Sequence, residues 1–190
     1  MATVTESDTI AGVYFVEPVV HRDPRGLFVE TYRREWIPQG REMVQANRAD
    51  RQPGCVVGLH FHLHQADYWY VPFGRARIVL HDLRAGSPTD GATMSFDLGA
   101  PQGTGVEHDH RSVFIPPGVA HGFASLTEMT ITYLVDNYHN AADELGVAWD
   151  DPEIAGEWHV VDPVLSNRDR DNPWRRDLDA AIRPVWPLRL

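Results

Sequence analysis

Residues 58 to 69 read GLHFHLHQADYW, and three histidines fall there on alternate positions, His60, His62 and His64, followed by Asp67. Imidazole is the side chain whose ordinary pKa lies closest to neutrality, so it can move a proton to or from a substrate or, when neutral, ligate a metal ion. A nearby carboxylate can fix its tautomer, steady its cation, or serve as a further ligand. Three chemistries are therefore open to this stretch: proton transfer, metal ligation, and a polar wall bonded to its own neighbours.

The element that must position these side chains is a β-strand. On a strand His60, His62 and His64 share one face, and Leu59, Phe61 and Leu63 share the other. The apolar trio then packs against a second sheet or another subunit, leaving the imidazoles to a cavity. From residue 10 to about 136, runs rich in Val, Ile, Phe, Tyr and Thr alternate with Gly, Pro and Asp: GVYFVEPVV, GLFVETY, MVQANRAD, CVVGLHFHL, DYWYVP, RARIVLHDLR, ATMSFDLG, SVFIPP, HGFASL and MTITYLVDN. That density of short strands predicts an all-β sandwich or barrel. Helical periodicity is scarce: REWIPQG starts a turn that Pro38 stops, NAADELG makes another, and PWRRDLDAAI near the C-terminus is the best helix candidate. The chain reads as one domain over 1–190, with a barrel at about 10–160 and a packed C-terminal extension at 161–190.

The composition, 43% hydrophobic and 23% charged, is that of a folded globular chain. Seventeen Lys and Arg against 27 Asp and Glu leave a formal net charge of -10, a field that repels polyanions and argues against nucleic acid as a partner. MATVTESDTI lacks the basic and apolar regions of a signal peptide, and no apolar run reaches a membrane span, so the expected location is the cytoplasm. Cys55 is the single cysteine; set in CVVGL, it reads as a small buried residue rather than a nucleophile.

The spacing around the histidines has a more specific match. Gly54, His60, His62, Asp67 and Gly74 stand in the spacing of the first cupin motif, with Asp in place of the usual Glu. Pro116, Gly118 and His121 in PPGVAH resemble the second, although His110 and Ser125 replace its outer Gly and Asn. The resemblance implies a double-stranded β-helix, or jelly roll, with His60, His62, Asp67 and His121 converging at its mouth. In metal-dependent cupins those positions are the ligands, and two or three imidazoles with a carboxylate suit a divalent ion.

Six further segments narrow the likeness: DPRGLFVETY, GLHF, HDLRAGSPTDG, FIPPGVAHGF, TYLVDNYHNAADELGVAWDDPEI and LSNRD. In order and spacing they resemble the dTDP-4-dehydrorhamnose 3,5-epimerases, a cupin family of nucleotide-sugar biosynthesis. The resemblance implies His60 as general base, Tyr133 as general acid and Asp169 as the carboxylate that orients the base. A 4-keto group acidifies the protons on C3 and C5, so a base can remove one to leave an enolate, and a proton returned to the opposite face inverts the carbon. On the strand MTITYLV, Tyr133 shares its face with Ile131 and Val135, which predicts a ring in an apolar wall with only its hydroxyl in the cavity. Substrate-contacting positions carry over as Arg25, Glu30, Gln45, Asn47, His62, Asp67, His121, Glu144 and Arg168, the last where the family has lysine. Arginine forks suit a diphosphate. The resemblance also implies homodimers with exchanged N-terminal strands, Arg25 serving the neighbouring site, and no cofactor.

Two positions depart from the family. Val57 stands where the family has an arginine directly before GLH, and Asp67 aligns with a lysine that stabilises the enolate oxygen. An oriented cationic donor at that oxygen is worth of order 3 to 4 kcal/mol of barrier. Either a metal on His60, His62, Asp67 and His121 takes over, which would commit His60 as a ligand, or His62 or His64 supplies the charge while Asp67 pairs with one of them. The sequence thus leaves three readings: a cofactor-free epimerase inverting C3, C5 or both; a metal-dependent cupin enzyme; and a non-catalytic sugar-nucleotide binder.

Overall fold

A computed structural model describes residues 1–37, 41–100, 103 and 105–186. The strands among them are β1 (Thr3–Glu6), β2 (Tyr14–Glu17), β3 (Val20–Asp23), β4 (Gly26–Val29), β5 (Gln45–Arg51), β6 (Val56–Phe61), β7 (Asp67–Phe73), β8 (Arg75–Asp82), β9 (Thr93–Gly99), β10 (Ser112–Ile115), β11 (Val119–Ser125), β12 (Met129–Val135) and β13 (Leu145–Gly146). They form a six-stranded sheet in the order β1-β2-β10-β7-β12-β5, a five-stranded sheet in the order β13-β6-β11-β8-β9, and a separate β3–β4 hairpin. The pairings within the sheets are antiparallel. Two facing sheets between which the chain alternates from β5 to β8 and again from β9 to β13 make the expected cupin jelly roll.

Alternation along each strand divides the apolar residues among three layers. Between the sheets, Trp69, Val71 and Ile131 from one meet Ile78, Leu80 and Phe123 from the other. Behind the five-stranded sheet, Leu59, Phe61 and Val79 pack on Val147, Ile154 and Trp158. The outer face of the histidine strand is therefore covered by the chain's own residues 147–158, not by another subunit. Burying Leu59 and Phe61 there contributes roughly 1.5 to 3 kcal/mol each. Behind the six-stranded sheet, Val16, Tyr68 and Phe114 pack on Trp36 and Ile37.

The strands β6 and β11 approach unusually closely at two glycines. A Cβ on Gly58, whose φ is +117°, would lie 2.7 Å from both the Cα of Gly122 and the carbonyl oxygen of His121, and one on Gly122 would lie 2.6 Å from the oxygen of Val57. Only residues without a Cβ permit that approach. The pairing shifts between His121 and Phe123, and it sets His121 opposite His60.

The expected strands are present, and the differences lie in the helices and ends. PWRRDLDAAI forms only a 3-10 turn at Arg175–Asp177, and the α-helix, α1, is Asn167–Asp171, capped by the Ser166 side chain accepting from the Asp169 N–H. Tertiary ties override the helical pattern of 173–182: the Arg175 N–H donates to Asp151, and Arg175 and Arg183 both reach Asp90. NAADELG gives a turn followed by β13, and β1 lies ahead of the expected barrel start. REWIPQG makes a 3-10 turn at Arg34–Trp36, while Pro38 lies outside the described residues. Cys55 is half-buried rather than buried, and among the described residues no helix is long and apolar enough to cross a membrane.

Candidate active site

A cavity of about 260 Å³ opens between the sheets. Val57, His60, His62, His121 and Phe123 come to it from the five-stranded side, and Ala49, Arg51, Asp67, Trp69 and Tyr133 from the other. Glu144 and Arg168 stand at its edge, joined to each other at 3.1 Å. Larger clefts of about 370 and 450 Å³ flank the N-terminal hairpin, but their charged groups already pair with one another, Arg33 with Glu30 and Arg25 with Asp23.

His60 is fixed from behind. Its Nε2 lies 2.6 Å from Oδ1 of Asp169, a residue that α1 buries to 2% exposure. Burial alone would raise the Asp169 carboxyl, but the hydrogen bond and charge of His60, with Ser166 and the Gly58 backbone, outweigh it and hold the carboxyl below its usual value. An ionised carboxylate can only accept, so the imidazole proton sits on Nε2 and Nδ1 keeps its lone pair.

Tyr133 faces His60 from the other sheet, on β12 opposite Asn47 of β5. Its ring packs partly against the inter-sheet core, as the strand pattern predicts. Burial pushes its hydroxyl pKa up, the charges of Asp67 and Glu144 add to this, and Arg51 opposes them. The phenol is thus protonated at neutral pH and available as a donor.

The strand expectation fails beyond Phe61. Asp143 takes the backbone N–H groups of Leu63 and His64 with its carboxylate, which turns the chain out of β6. His64 is exposed and does not line the cavity, so it cannot supply the missing charge. His62 stays inside, its Nδ1 donating to the Asp143 carbonyl at 2.7 Å. Burial pushes His121 down to about 4 against the pull of Asp67, so it is neutral at pH 7. Its Nδ1 donates to the Val119 carbonyl at 2.9 Å. Potential ligand atoms of His62, Asp67 and His121 lie within 4.8 Å of one another. His60 is not in this group, so the four-ligand set expected from the sequence is reduced to three.

Of the other expected contacts, the cavity gathers Glu144 and Arg168. Gln45 and Asn47 lie on the inward-facing side of β5 and bond to each other at 2.9 Å, next to the cavity without lining it. Arg25 and Glu30 are exposed on the N-terminal segment and do not reach it within this chain. Arg51 was not anticipated. It follows Gln45, Asn47 and Ala49 on the same strand face, so the period-two pattern of QANRADR contained the signal. It brings a cation to the cavity wall that Val57 leaves apolar.

A model of the dTDP-4-dehydrorhamnose 3,5-epimerase family matches residues 7–177. The dTDP-4-dehydrorhamnose 3,5-epimerase of Shigella flexneri is 33% identical over 181 residues, 91% of this chain and 96% of that protein. The dTDP-4-dehydrorhamnose 3-epimerase of Streptomyces niveus is 35% identical over 187 residues, 93% and 86% of the two chains. Among solved structures, the dTDP-6-deoxy-D-glucose-3,5-epimerase of Legionella pneumophila in complex with dTDP-4-keto-L-rhamnose superposes with a TM-score of 0.87 at 27% identity, covering 98% of this chain and 99% of that one. With the jelly roll, the His60–Asp169 pair and Tyr133 across the cavity, the chain belongs to the dTDP-4-dehydrorhamnose 3,5-epimerase family.

Proposed function

We propose that the cavity inverts C3, alone or with C5, of a dTDP-4-keto-6-deoxyhexose in deoxysugar biosynthesis. The observation that carries this reading is the placement of a base and an acid on opposite sheets: His60, held by Asp169, on β6, and Tyr133 on β12. A sugar ring between them presents one face to each. His60 Nδ1 takes the proton, the electron pair moves onto the 4-keto oxygen to form an enolate, and the Tyr133 hydroxyl returns a proton to the other face. Asp169 stabilises the imidazolium that forms meanwhile. These proton transfers need no organic cofactor.

Arg51 and Arg168 are the cavity's guanidinium groups for the diphosphate, and Glu144, Gln45 and Asn47 extend the contact surface. Arg25 and Glu30 act in a second copy's site. This reading is supported by the β3–β4 hairpin, which stands apart from both sheets and exposes Leu27 and Phe28, the latter at 64%. The unit is thus a cytoplasmic homodimer of one-domain chains, and sedimentation at micromolar concentration checks the pairing. Because Asp169 and Arg168 come from the C-terminal extension, barrel and extension work as one unit.

The experiment is proton NMR of dTDP-4-keto-6-deoxyglucose in D2O with the purified protein. Deuterium entering C3, or C3 and C5, with inversion is expected, and His60→Asn abolishes it. A substrate that binds and shows no exchange would overturn the reading in favour of a non-catalytic binder.

A further inference from the structure

His62 Nδ1 donates to the carbonyl of Asp143 and His121 Nδ1 to that of Val119. A carbonyl only accepts, so each neutral ring keeps its proton on Nδ1 and leaves an Nε2 lone pair on the side of Asp67. Asp67 is a carboxylate at 4% exposure whose bonds come from neutral donors, Gln65 Nε2 to Oδ1 and Trp69 Nε1 to Oδ2, each at 2.9 Å. Each of its oxygens has room for a second bond. His62 Nε2 lies 3.9 Å from Oδ1 and His121 Nε2 lies 3.9 Å from Oδ2, too far for hydrogen bonds between them. These side chains line one cavity, so they bring to it three acceptors and a negative charge, and no donor among the three. A buried charge of that kind is costly until a counter-charge arrives.

A primary ammonium answers all of this at once, with three N–H donors and one positive charge. Charge-assisted bonds of about 2.8 Å from a tetrahedral nitrogen place their acceptors about 4.6 Å apart. The acceptor atoms lie within 4.8 Å of one another, so they receive an ammonium as they stand. Ligands at about 2.1 Å from a tetrahedral metal ion would be about 3.4 Å apart, closer than either 3.9 Å separation. Hydroxyls donate single protons and leave the charge of Asp67 unmatched.

The place of this cradle says which group it meets. Asp67 pairs with Val135, two residues on from Tyr133, and His62 stands two residues on from His60. Two residues of strand span about 7 Å, so the cradle faces the edge of a ring held between base and acid. In a 4-keto-6-deoxyhexose joined to its diphosphate at C1, C4 bears the keto oxygen and C5 the methyl group. C3 is then the carbon on the reacting edge whose substituent can be an amine.

We propose that His62, Asp67 and His121 cradle a primary ammonium, and that the preferred substrate is a nucleotide-linked 3-amino-3,6-dideoxy-4-ketohexose. The proposal rests on the epimerase reading above and narrows its substrate. An ammonium beside the keto carbon also sets a positive charge next to the enolate oxygen, which the cradle's own acceptors do not supply.

Calorimetry at neutral pH with dTDP-3-amino-3,6-dideoxyglucose and dTDP-6-deoxyglucose tests the cradle. Both sugars lack the keto group, so binding is read apart from turnover. The amine is expected to bind about thirtyfold tighter or more, the scale of hydrogen bonds to a charged group, and Asp67→Asn to cut that ratio below about threefold. The N,N-dimethyl derivative keeps the charge with a single N–H and should lose most of the preference. Wild-type affinities for amine and hydroxyl sugars within about threefold of each other overturn the proposal, as does a dimethyl derivative that binds as tightly as the primary amine. These wild-type comparisons decide even if the variant fails to fold. Proton exchange in D2O with the two corresponding 4-keto sugars separates the readings. Exchange alongside equal binding overturns the cradle and leaves the epimerase standing. Tighter binding of the amine with no exchange of either keto sugar supports the cradle and overturns the epimerase.

Discussion

Replacing Asp169 by Asn isolates the contribution of the carboxylate behind the base. The native pair meets at 2.6 Å, with Asp169 nearly inaccessible. When His60 accepts the substrate proton, a neutral–anionic contact becomes a cation–anion contact, and two unit charges about 4 Å apart at an effective dielectric near 20 attract by about 4 kcal/mol. An amide keeps part of this through its carbonyl dipole, so a loss of about 2 to 3 kcal/mol in the transition state is expected, or roughly 30- to 150-fold in kcat. The added charge on His60 arises only with the proton taken from the sugar, so affinity for dTDP should change less than threefold. Stopped-assay kinetics of C3 exchange and calorimetry with dTDP read the two quantities. A kcat within threefold of wild type, or an equal loss in dTDP binding, would refute the argument that Asp169 acts through the charge on His60.

Three further outcomes follow from other parts of the molecule. Arg51→Gln should weaken dTDP binding about tenfold, the scale of one charge-assisted hydrogen bond, and flatten its salt dependence; calorimetry at two ionic strengths checks this. Arg84→Met leaves the fully buried Asp82 carboxylate without its guanidinium partner at 2.7 Å, which should cost about 3 to 5 kcal/mol, measured by urea unfolding. Burial pushes His81 down to about 4, with Arg175 adding to the shift, so between pH 4 and 6.5 the unfolded chain binds a proton that the folded chain does not. Stability should therefore rise with pH across that window, by order of 3 kcal/mol, and urea unfolding of His81→Gln should show a shallower rise.

Much of this was legible in the sequence because the signals were local. Alternation in GLHFH placed His60 and His62 opposite Leu59 and Phe61, and the turn residues between apolar runs marked the strands. His64 could not be placed that way, since what turns it out is Asp143, about eighty positions away, capturing two backbone N–H groups. Similar long-range capture by Asp151 and Asp90 explains why PWRRDLDAAI is not helical despite its pattern. The separation of His60 from the His62, Asp67 and His121 group was also hidden, because it depends on which ring nitrogen each histidine commits and to what partner.

The most direct test of the two-sided proton transfer is Tyr133→Phe, followed by proton NMR in D2O. Removing the acid leaves His60 able to withdraw the C3 proton and return a solvent-derived deuteron to the same face. The account predicts deuterium at C3 with the original configuration and loss of inversion. Inversion at the wild-type rate in that variant would contradict it, since the second proton would then come from elsewhere.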